Sequence, residues 1–141
     1  MLDVVFPKRI YSLWYQGLDN APELVRLNMR RWRELNPSYE LVILDTESSK
    51  PYLAHLPFDA ERLTPQARSD IIRLSLLSQH GGVWTDASVL PLRPLEDWLG
   101  AAVQRAEFFA FEREGHVLPL SSWFLAARPN ALVPKAWHAL S

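Results

Sequence analysis

The chain has 141 residues, of which 48% are hydrophobic and 22% charged, and its formal net charge is −1. This length is typical of one domain, 1–141, large enough to bury about two-thirds of its unfolded surface, and this composition excludes disorder. The near-zero charge gives no general attraction to nucleic acid, and the lack of cysteine excludes disulfides and thiolate chemistry.

The N-terminal stretch does not have the pattern of a secretion signal, since Asp3 and Pro7 interrupt its apolar residues. No stretch approaches the roughly 18 apolar residues that a spanning helix needs. We therefore expect a cytoplasmic protein. Peripheral contact with a membrane stays an alternative, although a solvated face is commoner, because the first predicted helix has a basic row: Arg26, Arg30, Arg31 and Arg33.

The first third of the chain has the pattern of a strand, a helix and a second strand. Alternating residues predict a strand over Arg9–Tyr15, and a short apolar run predicts another over Tyr39–Leu44. Asn20, with Glu23 three residues later, predicts a capping box for the helix between them. This helix is expected to end at Leu35 and to bury an apolar stripe: Leu24, Val25, Leu27, Met29, Trp32 and Leu35.

Such an order implies two parallel strands joined by a right-handed crossover. In open parallel sheets the ligand lies beyond the carboxyl ends of the strands. Trp14 and Asp45 come at those ends, so both are expected beside a ligand crevice. The residues from Asp45 to Leu63 are punctuated by prolines, which predicts an irregular connection in a position to cover the crevice.

The middle of the chain has the clearest structural signals. Thr64 and Pro65 predict a helix start, and Gly81 with Gly82 predicts its end. Between them an apolar stripe recurs at helical spacing: Ala67, Ile71, Leu74 and Leu77. After the glycines the side chains alternate in character with a period of two residues, which predicts a strand over Val83–Leu90.

One face of this predicted strand carries Trp84, Asp86 and Ser88. An acidic side chain at the end of an otherwise buried strand is costly to desolvate unless it meets a cation or hydrogen-bond donors. Asp86 is therefore either a residue of a functional site or a cap for the following turn, and spacing alone does not choose between the two.

The remaining residues predict a smaller set of elements. Residues 93–100 suggest one helical turn closed by Gly100, and Gly115 with His116 suits a hairpin between two strands. Two strands and a final helix are predicted: Ala106–Phe111, Leu118–Ala126 and Asn130–Leu140.

The chain resembles the capsular-polysaccharide-synthesis and sugar-binding DxD glycosyltransferases in three segments: SDIIRLSLLSQHGGVWTDAS, PKRIYSLWYQG and NPSYELVILD. The glucosylating toxin catalytic domains share this signature. The matched positions of the first segment are Ser69, Asp70, Arg73, Gly81, Gly82 and Asp86. The resemblance implies an α/β fold of the GT-A, Rossmann-like type with a mainly parallel sheet. Because family members are longer, the chain is expected to be a fragment, truncated towards its C-terminus, or a reduced homologue.

The resemblance also implies a metal and a catalytic pair. Asp86 would bind a divalent cation, Mn²⁺ or Mg²⁺, and Arg73 would meet the phosphates or the sugar. Ser88 stands where the family's pattern has a second Asp. A hydroxyl holds a hard cation less tightly than a carboxylate, so a weakly bound metal is expected at Asp86 and Ser88.

Three further residues are implied in substrate binding. Trp14 would stack on the base of the nucleotide, with core packing as its alternative role. Asp70 would hold sugar hydroxyls, and its alternative is an exposed ion pair with Arg73 within one helix. Trp84 shares the predicted strand face of Asp86 and is placed with the substrate.

The implied activity is that of a retaining hexosyltransferase, which moves a sugar from a UDP-sugar to a glycan acceptor in bacterial capsular or surface polysaccharide synthesis. A protein acceptor, as for the toxins, is a third possibility. The alternative from another class is a catalytically silent nucleotide-sugar or glycan-binding domain, which Ser88 and the short chain favour. No nucleic-acid partner is expected.

Overall fold

The computed structural model describes residues 7–103, 106–112 and 120–135. Five strands form one open sheet: β1 Arg9–Leu13, β2 Glu40–Leu44, β3 Gly82–Thr85, β4 Phe108–Glu112 and β5 Leu120–Ala127. The α-helices are α1 Glu23–Leu35, α2 Thr46–Ser49, α3 Pro65–His80 and α4 Leu99–Val103. Short 3-10 helices cover Leu18–Asn20, Lys50–Leu53, Ala60–Arg62 and Leu95–Asp97. The described residues end in a helical turn over 132–135.

The strands lie in the order β2-β1-β3-β5-β4. β1 pairs in parallel with β2 and with β3, while β5 is antiparallel to both β3 and β4. Four of the five strands therefore run in one direction, which confirms the expected α/β fold with a mainly parallel sheet. Because β1 and β3 are parallel neighbours, the residues that follow Leu13 and Thr85 meet at the same edge of the sheet.

The sheet has a hydrophobic core on each face. Neighbouring residues of β3 belong to different cores, since Val83 packs with Met29 of α1 whereas Trp84 packs with Ile72 of α3. The same alternation separates Ile10 from Tyr11 on β1. The two helices therefore lie on opposite faces of the sheet.

The predicted limits of α3 are confirmed. The Thr64 hydroxyl oxygen accepts a hydrogen bond of 3.1 Å from the amide of Ala67, which satisfies one of the free amides of the first turn. At the other end Gly81 has a φ of 66°. A Cβ at Gly81 would lie 2.6 Å from the backbone nitrogen of Pro129, so both the turn and the close approach of the chain require glycine here.

The structure corrects the predicted start of α1. Asn20 belongs to a 3-10 helix and its side-chain amide donates to the carbonyl oxygen of Gln16 at 2.9 Å, so it does not cap α1. The helix begins at Glu23, and Pro22 stands at the cap position with no side-chain hydrogen bond. The predicted capping box is wrong because the preceding residues form a separate turn.

The buried face of α1 also differs from the predicted stripe. Leu24 and Leu27 are 62% and 40% exposed, whereas Asn28 is fully buried beside Met29. The helix is rotated so that Val25, Asn28, Met29 and Trp32 face the sheet. Leu24 and Leu27 lie beside Arg30 on the outer face, where membrane contact stays a prediction.

Several other predicted elements shift. Strand β3 stops at Thr85 and does not continue to Leu90, and Gly100 lies inside α4 and does not close a turn. Residues 45–63 contain α2 and two 3-10 helices, so this connection is more regular than expected. Gly115, His116 and 136–140 lie outside the described residues. Among the helices that are described, none has the length and apolar character needed to cross a bilayer.

Candidate functional site

A cavity of about 360 Å³ lies at the carboxyl ends of β1 and β3. Its walls combine an aromatic ring, a guanidinium, a carboxylate and hydroxyls, contributed by Trp14, Tyr15, Ser69, Arg73, Asp86 and Ser88. Five of the six residues predicted to bind or act on a substrate thus line one cavity, and the sixth, Asp70, does not. The roles of these residues stay predictions.

Trp14 and Asp86 reach this cavity for the same topological reason. Trp14 directly follows β1, and its amide donates to the carbonyl oxygen of Leu44 at 2.9 Å, which continues the pairing with β2 by one step. Asp86 directly follows β3. The expectation that these two residues share one edge of the sheet is confirmed.

Arg73 is the most firmly held side chain of the site. It is 3% exposed, although it carries a charge. Its guanidinium donates to the carbonyl oxygen of Ser122 at 2.5 Å and to the Ser69 hydroxyl at 2.8 Å, and it lies 5.0 Å above the Trp84 ring. The Nη1 atom is 3.1 Å from Oδ1 of Asp86. A buried cation with these partners is fixed in position before any ligand arrives.

Asp86 is anchored through both backbone and side chain. Its amide donates to the carbonyl oxygen of Trp123 at 2.8 Å, and its Oδ1 accepts from the Trp84 indole at 3.0 Å. The turn that follows is closed by the amide of Val89, which donates to the Asp86 carbonyl oxygen at 3.1 Å. Among the described residues the carboxylate contacts Trp84 and Arg73 and no amide of that turn, so the capping alternative is not observed, and a role of Asp86 in a functional site stays a prediction.

Ser88 lines the cavity from a turn and not from the strand that was predicted to carry it. Because β3 ends at Thr85, Ser88 lies in the turn after Asp86 and not on a strand face shared with Trp84. It is exposed and lines the same cavity as Asp86. The predicted alternation over Val83–Leu90 is wrong, yet the two side chains still face one space.

Asp70 stands outside the cavity wall. Its carboxylate is 3.6 Å from Nη2 of Arg73, accepts from Gln66 at 3.4 Å and is half exposed. Partial burial raises the pKa of Asp70 above its ordinary value, and the charge of Arg73 opposes this rise. The intrahelical ion pair with Arg73 is thus present, and a contact of Asp70 with a sugar stays a prediction.

The residues present suit one weakly held cation. Within the described part of the chain, the hydrogen bond and the ion pair of the Asp86 carboxylate both involve Oδ1, which leaves Oδ2 for a cation. The Ser88 hydroxyl can supply a second, neutral oxygen. Among the described residues no three His, Asp or Glu side chains cluster as a metal site. Phosphate oxygens of a ligand would have to complete the coordination.

Sequence reasoning missed the residues of α1 and of its C-cap that hold the segment after Asp86. Asn28 donates to the carbonyl oxygen of Ala87 at 3.0 Å, and the Trp32 indole donates to that of Val89 at 3.0 Å. The Asn36 side-chain oxygen accepts from the amide of Leu95 at 2.7 Å. The signal that could have found Asn28 is its position among apolar residues at helical spacing. Such a position predicts burial, and a buried side-chain amide needs a hydrogen-bond partner.

The fold places the chain in a class of proteins. It matches the PaToxG glycosyltransferase with a TM-score of 0.67 and 16% sequence identity, over 96% of this chain and 60% of that one. This likeness defines an α/β domain with a GT-A-like glycosyltransferase fold.

The sequence comparison then gives the family. Residues 4–141 match the family described as capsular polysaccharide synthesis protein, and the chain belongs to that family, which confirms the resemblance of its three segments. The glycosyltransferase afumC of Aspergillus fumigatus is 28% identical over 94% of this chain. The initiation-specific alpha-1,6-mannosyltransferase of Candida albicans is 29% identical over 67% of it. The chain spans 39% and 27% of these two relatives.

Proposed function

We propose that the chain is the donor-binding part of a glycosyltransferase, with a nucleoside diphosphate-sugar in the cavity beside Asp86. The observation that carries this proposal is the contact of the buried Arg73 with the partly exposed Asp86, 3.1 Å apart, in a cavity that Trp14 also lines. A guanidinium suits a diphosphate, a carboxylate suits a cation or a sugar hydroxyl, and an indole suits a base. Family membership and the relatives' names support the same reaction class.

In the proposed reaction an acceptor hydroxyl oxygen forms a bond to the anomeric carbon of the sugar, and the bond from that carbon to the diphosphate oxygen breaks. The electron pair stays on the departing diphosphate, and the hydroxyl proton passes to the diphosphate or to water. Negative charge therefore grows where Arg73 is held by Ser69 and the Ser122 carbonyl. Such a preorganised cation stabilises the departing group without having to reorient. Retention at the anomeric carbon is part of the proposal.

A divalent cation, Mn²⁺ or Mg²⁺, belongs to the proposal as a weakly held cofactor. Asp86 and Ser88 would hold it, and when bound it would neutralise charge on the diphosphate. Arg73, whose Nη1 is 3.1 Å from Oδ1 of Asp86, would neutralise charge on the diphosphate as well, so this chain's own residues would supply part of the same effect.

The proposal also names a donor and an acceptor. We propose a UDP-sugar as the donor, and the family's description suggests a glycan of capsular or surface polysaccharide as the acceptor. One relative is named a mannosyltransferase, so a guanosine nucleotide has to be tested beside uridine. The competing function is a catalytically silent nucleotide-sugar-binding domain, which Ser88 favours because it leaves the cation one carboxylate short.

The test is calorimetry with UDP and GDP, each with and without MnCl₂, followed by hydrolysis of UDP-glucose and GDP-mannose. One nucleotide should bind and its sugar should be hydrolysed slowly. Asp86→Asn should weaken the manganese-dependent binding. Asp45→Asn is the matched control, because Asp45 also follows a strand of the sheet but caps α2 and does not line the cavity. Binding without hydrolysis would favour the silent domain, and no binding of either nucleotide would reject both proposals.

A further inference from the structure

Tyr15 lines the cavity next to Trp14, and its side chain reaches a second wall of the same cavity. Its hydroxyl donates to the carbonyl oxygen of Pro65, the first residue of α3, at 2.9 Å. The two residues are 50 positions apart in the chain, so this hydrogen bond fastens the start of the helix to the segment after β1.

The backbone of Tyr15 is itself held at the edge of the sheet. Its carbonyl oxygen accepts from the amide of Thr46 at 3.1 Å and from the Thr46 hydroxyl at 2.8 Å. Thr46 is the first residue of α2, which follows β2. The Tyr15 hydroxyl therefore contacts α3 from a backbone that the end of β2 fixes.

The start of α3 gains little from the hydrophobic core. Each of the residues 65–70 is exposed or partly exposed, and the run of buried residues begins at Ile71. Packing of apolar residues supplies most of the stability of a helix in a protein, so this start depends on specific contacts. Tyr15 makes two of them, because the Arg68 guanidinium also lies 5.1 Å from the centroid of its ring.

The same start of α3 carries part of the cavity wall. Gln66 and Ser69 both line the cavity. Ser69 accepts two hydrogen bonds from Arg73, one of 2.8 Å on its hydroxyl and one of 3.3 Å on its carbonyl oxygen. A shift of this turn would therefore displace two of the groups that orient the guanidinium.

We propose that Tyr15 is a positioning residue of the donor site. Its hydroxyl fixes the start of α3 against the segment after β1, and through Ser69 it keeps Arg73 in the orientation that meets a diphosphate. The inference rests on the proposed function for the diphosphate, and on the contacts of Tyr15 for the fixing of the helix. The competing role is simple packing beside Trp14, for which the ring alone is sufficient.

The fixing of the helix is tested without a ligand, by hydrogen–deuterium exchange and mass spectrometry of Tyr15→Phe. This variant keeps the ring beside Arg68 and removes only the hydroxyl. Exchange of the segment 66–72 should become about three- to tenfold faster, as expected for the loss of one hydrogen bond. Unaltered exchange of this segment would overturn the inference.

Tyr52→Phe is the matched control for this experiment. Tyr52 is also partly buried and packs against the same hydrophobic core as Tyr15. It lies beside His80, at the other end of α3. Its variant should leave the exchange of 66–72 unchanged, and an equal acceleration in both variants would show a general loosening of the core and overturn the inference.

The effect on the site is measured by calorimetry with UDP and GDP. Tyr15→Phe should weaken the nucleotide that binds about three- to tenfold, and Tyr52→Phe should not. Because Tyr15 acts through Ser69, the double variant Tyr15→Phe/Ser69→Ala should lose little more affinity than Ser69→Ala alone. Fully additive losses, or unchanged affinity in Tyr15→Phe, would overturn the positioning role. If neither nucleotide binds the parent, the proposed function is rejected together with the role towards a diphosphate, and the exchange of 66–72 alone decides whether Tyr15 fixes the helix.

Discussion

Asn28 of α1 donates a hydrogen bond of 3.0 Å to the carbonyl oxygen of Ala87, the residue that follows Asp86. Both residues are buried, so the bond is shielded from water. Trp32, one turn further along the helix, donates to the carbonyl oxygen of Val89, and Asn36 at the C-cap accepts from the amide of Leu95. One face of α1 thus fixes the backbone that carries the candidate metal ligands.

The first prediction compares two asparagines of this helix face. Asn28→Leu and Asn36→Leu each remove a buried side-chain partner of the segment after Asp86, so each should lower the free energy of unfolding by about 1–3 kcal/mol. Only Asn28 contacts the turn that carries Asp86. Manganese-dependent nucleotide affinity, measured by calorimetry, should therefore fall several-fold in Asn28→Leu and stay unchanged in Asn36→Leu. An equal effect of the two variants on affinity would reduce Asn28 to a purely structural role.

The second prediction concerns Trp14. If its indole stacks on the base, Trp14→Ala should weaken nucleotide binding by about 1–3 kcal/mol. Trp14→Phe retains a ring that can stack on the base, so it should recover most of that affinity. Calorimetry with the nucleotide that binds gives the comparison. Unchanged affinity in Trp14→Ala would return Trp14 to a core-packing role.

The third prediction uses the ionisation of Asp70. Partial burial raises the pKa of Asp70, so the folded chain holds this proton more tightly than the unfolded chain. Its stability is then greatest below the unfolded pKa of about 4 and is lost as pH rises through the folded pKa. Asp70→Asn cannot ionise, so its midpoint of thermal unfolding should exceed that of the parent at pH 7, and the difference should vanish at pH 3.

Asp45 provides the control of opposite sign. The backbone amide of Ser48 donates to Asp45 and holds the pKa of this carboxyl below its ordinary value. Its contribution is present above a pH of about 4 and is lost as pH falls, so Asp45→Asn should unfold at a lower temperature than the parent at pH 7. Shifts of the two variants in the same direction would contradict this assignment of Asp70.

The sequence was sufficient to predict an element where a single residue type determined its end. The hydroxyl of Thr64 and the positive φ of Gly81 set the limits of α3, and both can be read from residue type. The meeting of Trp14 and Asp86 followed from topology, since residues after parallel neighbouring strands share one edge.

Other features depended on contacts between distant segments. The apolar residues of α1 allow two overlapping stripes, and the carbonyl of Ala87 selects the one that buries Asn28 and exposes Leu24. The end of β3 depended on the turn between Asp86 and Val89. The residues of this turn alternate in polarity as those of a strand do, so the sequence pattern alone did not show where β3 ends. The aromatic stack of Phe111 on Trp123 was not predicted, because these two residues come from strands whose pairing no local pattern specifies.

The last prediction concerns Ser88, where the family's pattern has a second Asp. Ser88 is exposed in the turn after Asp86, so Ser88→Asp should fold as the parent does. The new carboxylate adds a charged oxygen beside Asp86, and nucleotide affinity in MnCl₂ should rise about tenfold or more. In EDTA the same carboxylate repels the diphosphate, so affinity should fall below that of the parent. Ser88→Asn, which is similar in size to Asp and neutral, should change neither value much.

The opposite variant completes this test. Asp86→Ala removes the one carboxylate among the described residues that line the cavity, so manganese should no longer increase nucleotide affinity. If manganese leaves the affinity unaltered in the parent and in both the Asp86 and Ser88 variants, the diphosphate is bound by Arg73 and backbone donors instead. Asp86 would then act on Arg73 or on a sugar hydroxyl, and the transferase would need a metal-independent mechanism or give way to the silent binding domain.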